Sequence, residues 1–148
     1  MPSVWAMKQK RRIDTRDVYN WKAKRNVDGS KQVARRDYGQ MYAPVALWSS
    51  IRMLLVMAVS RGWHTRQLDY VKAYPQAPVN RDIYMEIPKG YVLSSGVAKD
   101  FVLKIHKNIY GLKQAGRVWN NYLVAKLKKI GFVQSCANPC IFTRGQTL

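Results

Sequence analysis

Tyr110-Gly111-Leu112-Lys113-Gln114-Ala115-Gly116-Arg117-Val118-Trp119 is the stretch that decides how this chain folds. From Ala115 onward, Val118, Trp119, Tyr122, Leu123, Leu127 and Ile130 recur at helical spacing on one face. The pattern predicts a helix over residues 114–130, ended by Gly131. Arg117, Asn120, Asn121 and Lys128 fall on the opposite face. A helix start offers unpaired backbone N–H groups and the positive end of the helix dipole. Lys113, Gln114 and Arg117 gather at that start. Two readings are open from the pattern alone. One is a phosphate-facing helix start; the other is a glycine turn leading into an amphipathic helix with a solvated basic face.

On the N-terminal side, residues 4–8 and 19–27 hold Trp, Tyr and Val, which favour strands, around the polar turn Asp14-Thr15-Arg16-Asp17. They predict a β-hairpin, closed by Asp28-Gly29-Ser30. Pro44 biases Ala43 away from helix and makes residues 42–45 an extended connector. Ser49 or Ser50 is expected to cap a helix running to about residue 61, apolar on most sides and therefore buried on most sides. Weak alternation over residues 63–71 predicts a strand ending near Asp69. Residues 83–87 and 101–105 predict two more strands, the first stopped by Pro88-Lys89-Gly90, and residues 140–143 open another. The fold class expected is α+β, with a mostly antiparallel sheet and two main helices.

The 148 residues are 47% hydrophobic, enough for one core and against wholesale disorder. Their formal net charge is +18. Only eight acids are present, Glu86 being the sole glutamate, which excludes an enzyme with carboxylates to spare. The charge is uneven: residues 1–36 carry eleven basic and three acidic side chains, residues 101–130 seven basic and no acidic. Such a chain calls for an anionic partner, nucleic acid first and an anionic membrane surface second. Cys136 and Cys140 make neither a disulfide framework nor a four-ligand zinc site, and two reduced thiols are expected. The apolar run over residues 53–59 is too short to span a bilayer, and no leader is apparent. A soluble intracellular protein in one compact unit is the expectation.

Asp69 is the conspicuous acid: a carboxylate at a strand end can hold a hard divalent cation, or simply serve a turn. Lys22 and Lys24 alternate on one strand and so share a face, which suits a polyphosphate or is merely solvated. His64 and His106 have no second ligand at metal spacing. No Ser/His/Asp set, Walker motif or dinucleotide fingerprint occurs.

Taken in order, Tyr42-Ala43-Pro44-Val45, Gln67-Leu68-Asp69 with Ala73-Tyr74, residues 83–90 and the Tyr110 to Trp119 run closely resemble the reverse transcriptase of Ty1/copia-type retrotransposons. Trp21-Lys22-Ala23-Lys24 and Asp28-Gly29-Ser30-Lys31-Gln32 look like that family's fingers segment. The resemblance implies a right-hand polymerase fold, with a fingers hairpin and connector over residues 1–45 and fingers and partial palm over 46–148. It implies Asp69 as a catalytic aspartate and Mg²⁺ ligand, with the Tyr70 backbone carbonyl as a further ligand. It makes Tyr74 the aromatic gate under the incoming sugar and Gln114 a contact of the incoming nucleotide. Lys22 or Lys24 would touch the triphosphate, the choice between them left open, and Lys113 and Arg117 would contact nucleic acid. The implied partners are an RNA or DNA template-primer and deoxynucleotide triphosphates, with no membrane.

The family's second acidic motif, Tyr-X-Asp-Asp, does not occur, and no Asp or Glu follows Asp100. Arg25 stands where the family usually has an aliphatic residue and Lys24 where it usually has Arg. A fragment of such a polymerase, inactive by itself, is the expectation. A non-catalytic basic nucleic-acid binder or a retroelement relic is the alternative.

Overall fold

A computed structural model describes residues 1–94, 96 and 98–145. Strands β1 (Ser3–Arg11) and β2 (Val18–Val27) form the expected antiparallel hairpin, with Lys8 opposite Lys22 and Trp5 opposite Arg25. Its tip is closed by Arg12 N–H donating to Asp17 O at 2.9 Å, and a register shift falls between Lys10 and Arg11. Asp28 then caps a 3₁₀ turn, Gly29–Lys31, by accepting from Ser30 N–H.

Helix α1 (Trp48–Ser60) matches the expected span, but two of its expected features do not hold. Its N-cap is Leu47, whose extended backbone offers no side-chain cap. Ser49 and Ser50 lie within the first turn, and the Ser50 hydroxyl accepts from Asn138 Nδ2 at 2.8 Å. Nor is α1 buried on most sides. Only Ala58 is buried, while Met53, Leu54, Leu55, Val56 and Val59 are exposed. The physical reason is that among the described residues no other helix or strand packs broadly against it.

The strand expected over residues 63–71 does not form; residues 63–70 run as irregular backbone. A strand needs a neighbour for its N–H and C=O groups, and none lies alongside among the described residues. Asp69 therefore sits just before a turn, not at a strand end. That turn leads into the short α2 (Ala73–Gln76), entered through Lys72 in the left-handed conformation at φ 51°.

Strands β3 (Tyr84–Glu86) and β4 (Val102–Lys104) pair antiparallel. Their ladder continues irregularly through Ile105 N–H to Ile83 O at 2.9 Å and Asn108 N–H to Ala77 O at 2.9 Å. Helix α3 (Ala115–Lys129) begins and ends within a residue of the expected bounds. Gly131, at φ 88°, stops it, and Lys126, Lys128 and Lys129 complement its negative end. Strands β5 (Val133–Gln134) and β6 (Phe142–Thr143) close a last antiparallel pair.

The fold is α+β, as expected, but the single sheet is replaced by three separate two-stranded antiparallel ladders among the described residues. The core lies where the end of the hairpin, the β3–β4 ladder and the start of α3 meet: Val27, Ile83, Met85, Ile105, Leu112 and Ala115. The hairpin is seated there by Val27 N–H donating to Tyr110 O at 3.0 Å. That crossing is closed by glycines. A Cβ on Gly29 would overlap the Gly111 carbonyl, and one on Gly111 would overlap the Val27 carbonyl. Among the described residues no helix is long and apolar enough to cross a membrane.

Candidate nucleotide and nucleic-acid site

Seating the hairpin against the 109–110 turn opens a cleft of about 740 Å³. Lys22, Lys24 and Arg25 line one wall; Asp69, Tyr70 and Lys72 line the other. Four cations and one carboxylate thus share the space. Neither described ion pair, Arg36 with Asp37 or Lys104 with Asp82, involves any of the five. A group of unpaired cations around an open cleft attracts anions and holds them by several contacts at once. Lys24 is steadied from below, its ammonium 4.4 Å from the centre of the Tyr110 ring. The Asp69 wall is steadied by Tyr70, which meets Trp119 of α3 edge-on at 5.2 Å. Gln76 Nε2 closes the following turn by donating to Val71 O at 2.8 Å.

The structure brings Lys22, Lys24, Asp69 and Tyr70 together from parts of the sequence nearly fifty residues apart. It does not add the other singled-out residues to that cleft. Tyr74 is half-buried, tilted against Tyr110 at 4.8 Å and packed on the core behind the cleft. Gln114 is only 2% exposed. Its Nε2 donates to Asp37 O at 3.2 Å and its Oε1 accepts from Gln32 Nε2 at 3.0 Å. Lys113 donates its backbone N–H to Gln32 Oε1 at 2.7 Å, and its ammonium lies over the Tyr38 ring. Arg117 donates to Tyr42 O at 3.2 Å. Gln114 and Arg117 line a second, smaller cavity of about 200 Å³.

Gln32, named above only as the end of the Asp28 to Gln32 run, and Asp37 have roles in this arrangement that their sequence context does not show. Gln32 bridges the 3₁₀ turn to the start of α3 through a buried chain of amides. Nothing in its local pattern distinguishes it from a solvated glutamine after a turn. We expect Gln114→Leu to strand the Gln32 amide and the Asp37 carbonyl and to cost about 1–3 kcal/mol. The shift of a urea unfolding midpoint measures it, and an unchanged midpoint would show that the amide chain carries no stability.

Asp37 holds the other end of that chain. The Arg36 guanidinium at 2.8 Å and the Val33 N–H at 2.8 Å keep its carboxyl below the usual aspartate value. A carboxyl depressed on folding contributes stability that is fully present above the ordinary aspartate range. That contribution is lost as pH falls through the folded value. Acid unfolding should therefore begin below about pH 4. In Asp37→Asn the acid limb should flatten, as followed by circular dichroism.

One carboxylate among four cations is not a donor set for two hard divalent ions. Among the described residues no group of three or more His, Cys, Asp or Glu side chains gathers anywhere. Residues 1–148 therefore do not by themselves fit a two-magnesium centre. Cys136 and Cys140 are both unbridged, Cys136 exposed.

A family model described as reverse transcriptase (RNA-dependent DNA polymerase) matches residues 1–148. The chain is 37% identical over 130 residues to the retrovirus-related Pol polyprotein from transposon RE2 of Arabidopsis thaliana, covering 86% of this chain and 9% of that protein. It is 32% identical over 138 residues to the retrovirus-related Pol polyprotein from transposon TNT 1-94 of Nicotiana tabacum, covering 93% of this chain and 10% of that protein. It is 28% identical over 93 residues to the transposon Ty1-BL Gag-Pol polyprotein of Saccharomyces cerevisiae, covering 62% of this chain and 5% of that protein. The chain thus spans about a tenth of the plant relatives' length. No solved structure matches it.

Proposed function

The chain belongs to the reverse transcriptase (RNA-dependent DNA polymerase) family, as a fragment of the copia type, and from that membership we propose that it forms the fingers and first part of the palm of a right-hand polymerase. Its work in the complete polyprotein is to hold template-primer and deoxynucleotide triphosphate for RNA-directed DNA synthesis. The observation that carries this reading is the cleft that Lys22, Lys24, Arg25 and Lys72 share with Asp69. The four cations suit a triphosphate and the phosphates beside it. Asp69, with the Tyr70 carbonyl, is one part of a divalent-metal site whose remaining ligands are not among residues 1–148.

In such a polymerase the metal supplies charge neutralisation at the transferring phosphoryl group. This chain's residues bind and orient. Lys22 and Lys24 hold the triphosphate from the hairpin wall, and Lys24 is fixed for the task by the Tyr110 ring. Tyr74 is the sugar gate in this reading, and its ring meets a sugar only after leaving its packing on Tyr110 behind the cleft. Gln114 reaches a nucleotide only after its amide leaves Gln32 and Asp37. Until then it orders the start of α3, with Lys113 and Arg117 beside the template path.

The direct test is a salt titration of the 148-residue chain against a labelled primer-template. If six to ten phosphates are neutralised, affinity should fall by about 10³–10⁵ between 50 and 200 mM salt. Lys22→Ala and Lys24→Ala should each weaken binding and reduce the salt slope by about one. A salt-independent affinity would sink the reading.

A further inference from the structure

The two faces of the hairpin differ in chemistry. Residues directly opposite on an antiparallel ladder share a face, and side chains alternate along each strand. The register places Lys8, Lys10, Lys22 and Lys24 on one face. The other carries Trp5 opposite Arg25, Met7 opposite Ala23 and Gln9 opposite Trp21. The lysine face contributes Lys22 and Lys24 to the cleft. The aromatic face stays uncovered: Trp5 is 44% exposed, Met7 76% and Trp21 71%.

We propose that the Trp5–Met7–Trp21 face is a stacking platform for single-stranded nucleic acid. The class of partner rests on the polymerase reading above. Three observations support the choice. Residues 3–27 hold eight basic and two acidic side chains, so the hairpin favours a polyanion over a protein surface of mixed charge. No hairpin cation belongs to either described ion pair, so the hairpin's positive charge is left for an anion to neutralise. Finally, the apolar groups are flat and spaced. Successive same-face positions lie about 7 Å apart, so two indoles about 14 Å apart flank a low floor of Met7 and Ala23.

Bases stacked on such a surface need exposed faces, which a single strand offers and a duplex hides. The Trp5 indole is held in place by its Nε1–H donating to Lys89 O at 3.3 Å. Arg11, Arg12 and Arg16 at the hairpin end continue the phosphate path.

The test measures fluorescence anisotropy of labelled oligothymidylate of about twelve nucleotides with the 148-residue chain. An abasic strand of equal phosphate count serves as comparison. The expected result is that wild type prefers oligothymidylate by about tenfold. Trp21→Ala removes that preference and leaves abasic binding unchanged, and Trp21→Phe retains most of it. Lys22→Ala weakens both ligands alike. Trp21 is exposed, so its truncation does not disturb the core. Equal wild-type affinity for both strands, or a Trp21→Ala effect equal on both, overturns the platform and leaves the polymerase reading standing. Absence of binding to either strand overturns both. A dimer in sedimentation that Trp21→Ala dissolves assigns the face to a second copy and also overturns the proposal.

Discussion

Asp69→Asn is expected to lower primer extension by at least about a thousandfold in a polymerase that uses these residues, because in the proposed reading it removes a charged oxygen that would ligate the divalent metal. The substitution keeps the shape of the side chain. The cleft wall built by Tyr70 and Trp119 is therefore undisturbed. Nucleic-acid binding by the 148-residue chain should meanwhile stay equal or become slightly tighter, since a negative charge leaves a cleft lined by four cations. Those opposite responses separate a metal-ligating aspartate from a structural one. Primer extension that survives the change would remove Asp69 from the chemistry. By the same reasoning, residues 1–148 alone should show no incorporation with Mg²⁺ or Mn²⁺, because their donor set supplies a single carboxylate at the cleft. Robust incorporation by the 148-residue chain would overturn the assignment.

Gly111→Ala is expected to be the most damaging single change to stability, costing about 3 kcal/mol or more. Two penalties act together at this position. Its φ of 97° is unfavourable for any residue with a Cβ, and that Cβ would overlap the Val27 carbonyl. The contact cannot relax without lifting the hairpin from Tyr110, which would also open the cleft. Gly90→Ala is the control: φ is 83°, but nothing lies within 4 Å. Only the backbone penalty of about 1 kcal/mol should remain there. Urea denaturation of both variants gives the comparison. Equal costs would show that the crossing at Gly111 is not a steric constraint.

The hairpin, α1 and α3 were legible because each rests on local rules: strand formers around a polar turn, an apolar run, an apolar stripe at helical spacing ended by Gly131. The strand expected before Asp69 was not, because a strand depends on a neighbour that no local pattern supplies. The burial expected for α1 failed likewise. Apolar composition says that a helix wants covering, not that something covers it.

At the candidate site the division is similar. Asp69, Lys22, Lys24 and Gln114 all stood out by residue type and motif order. Their separation into two cavities did not. Lys113 and Gln114 are sequence neighbours of the Tyr110 turn, yet both are engaged with the segment around residues 32–38. Lys72 lines the cleft from a left-handed backbone that lysine seldom adopts.

The sequence alone determined the family, the excess of basic over acidic side chains and the presence of a single candidate metal-binding aspartate in the Gln67 to Tyr74 run. Those are properties of composition and order, and they survive any arrangement of the chain. Which cations share a cleft with Asp69, and that the Gln114 amide is engaged with Gln32 and Asp37, came from tertiary packing. Both depend on how the end of the hairpin is seated at the glycine crossing between residues 29 and 111. Such long-range contacts are set by which surfaces fit together, and no local run of residues encodes them.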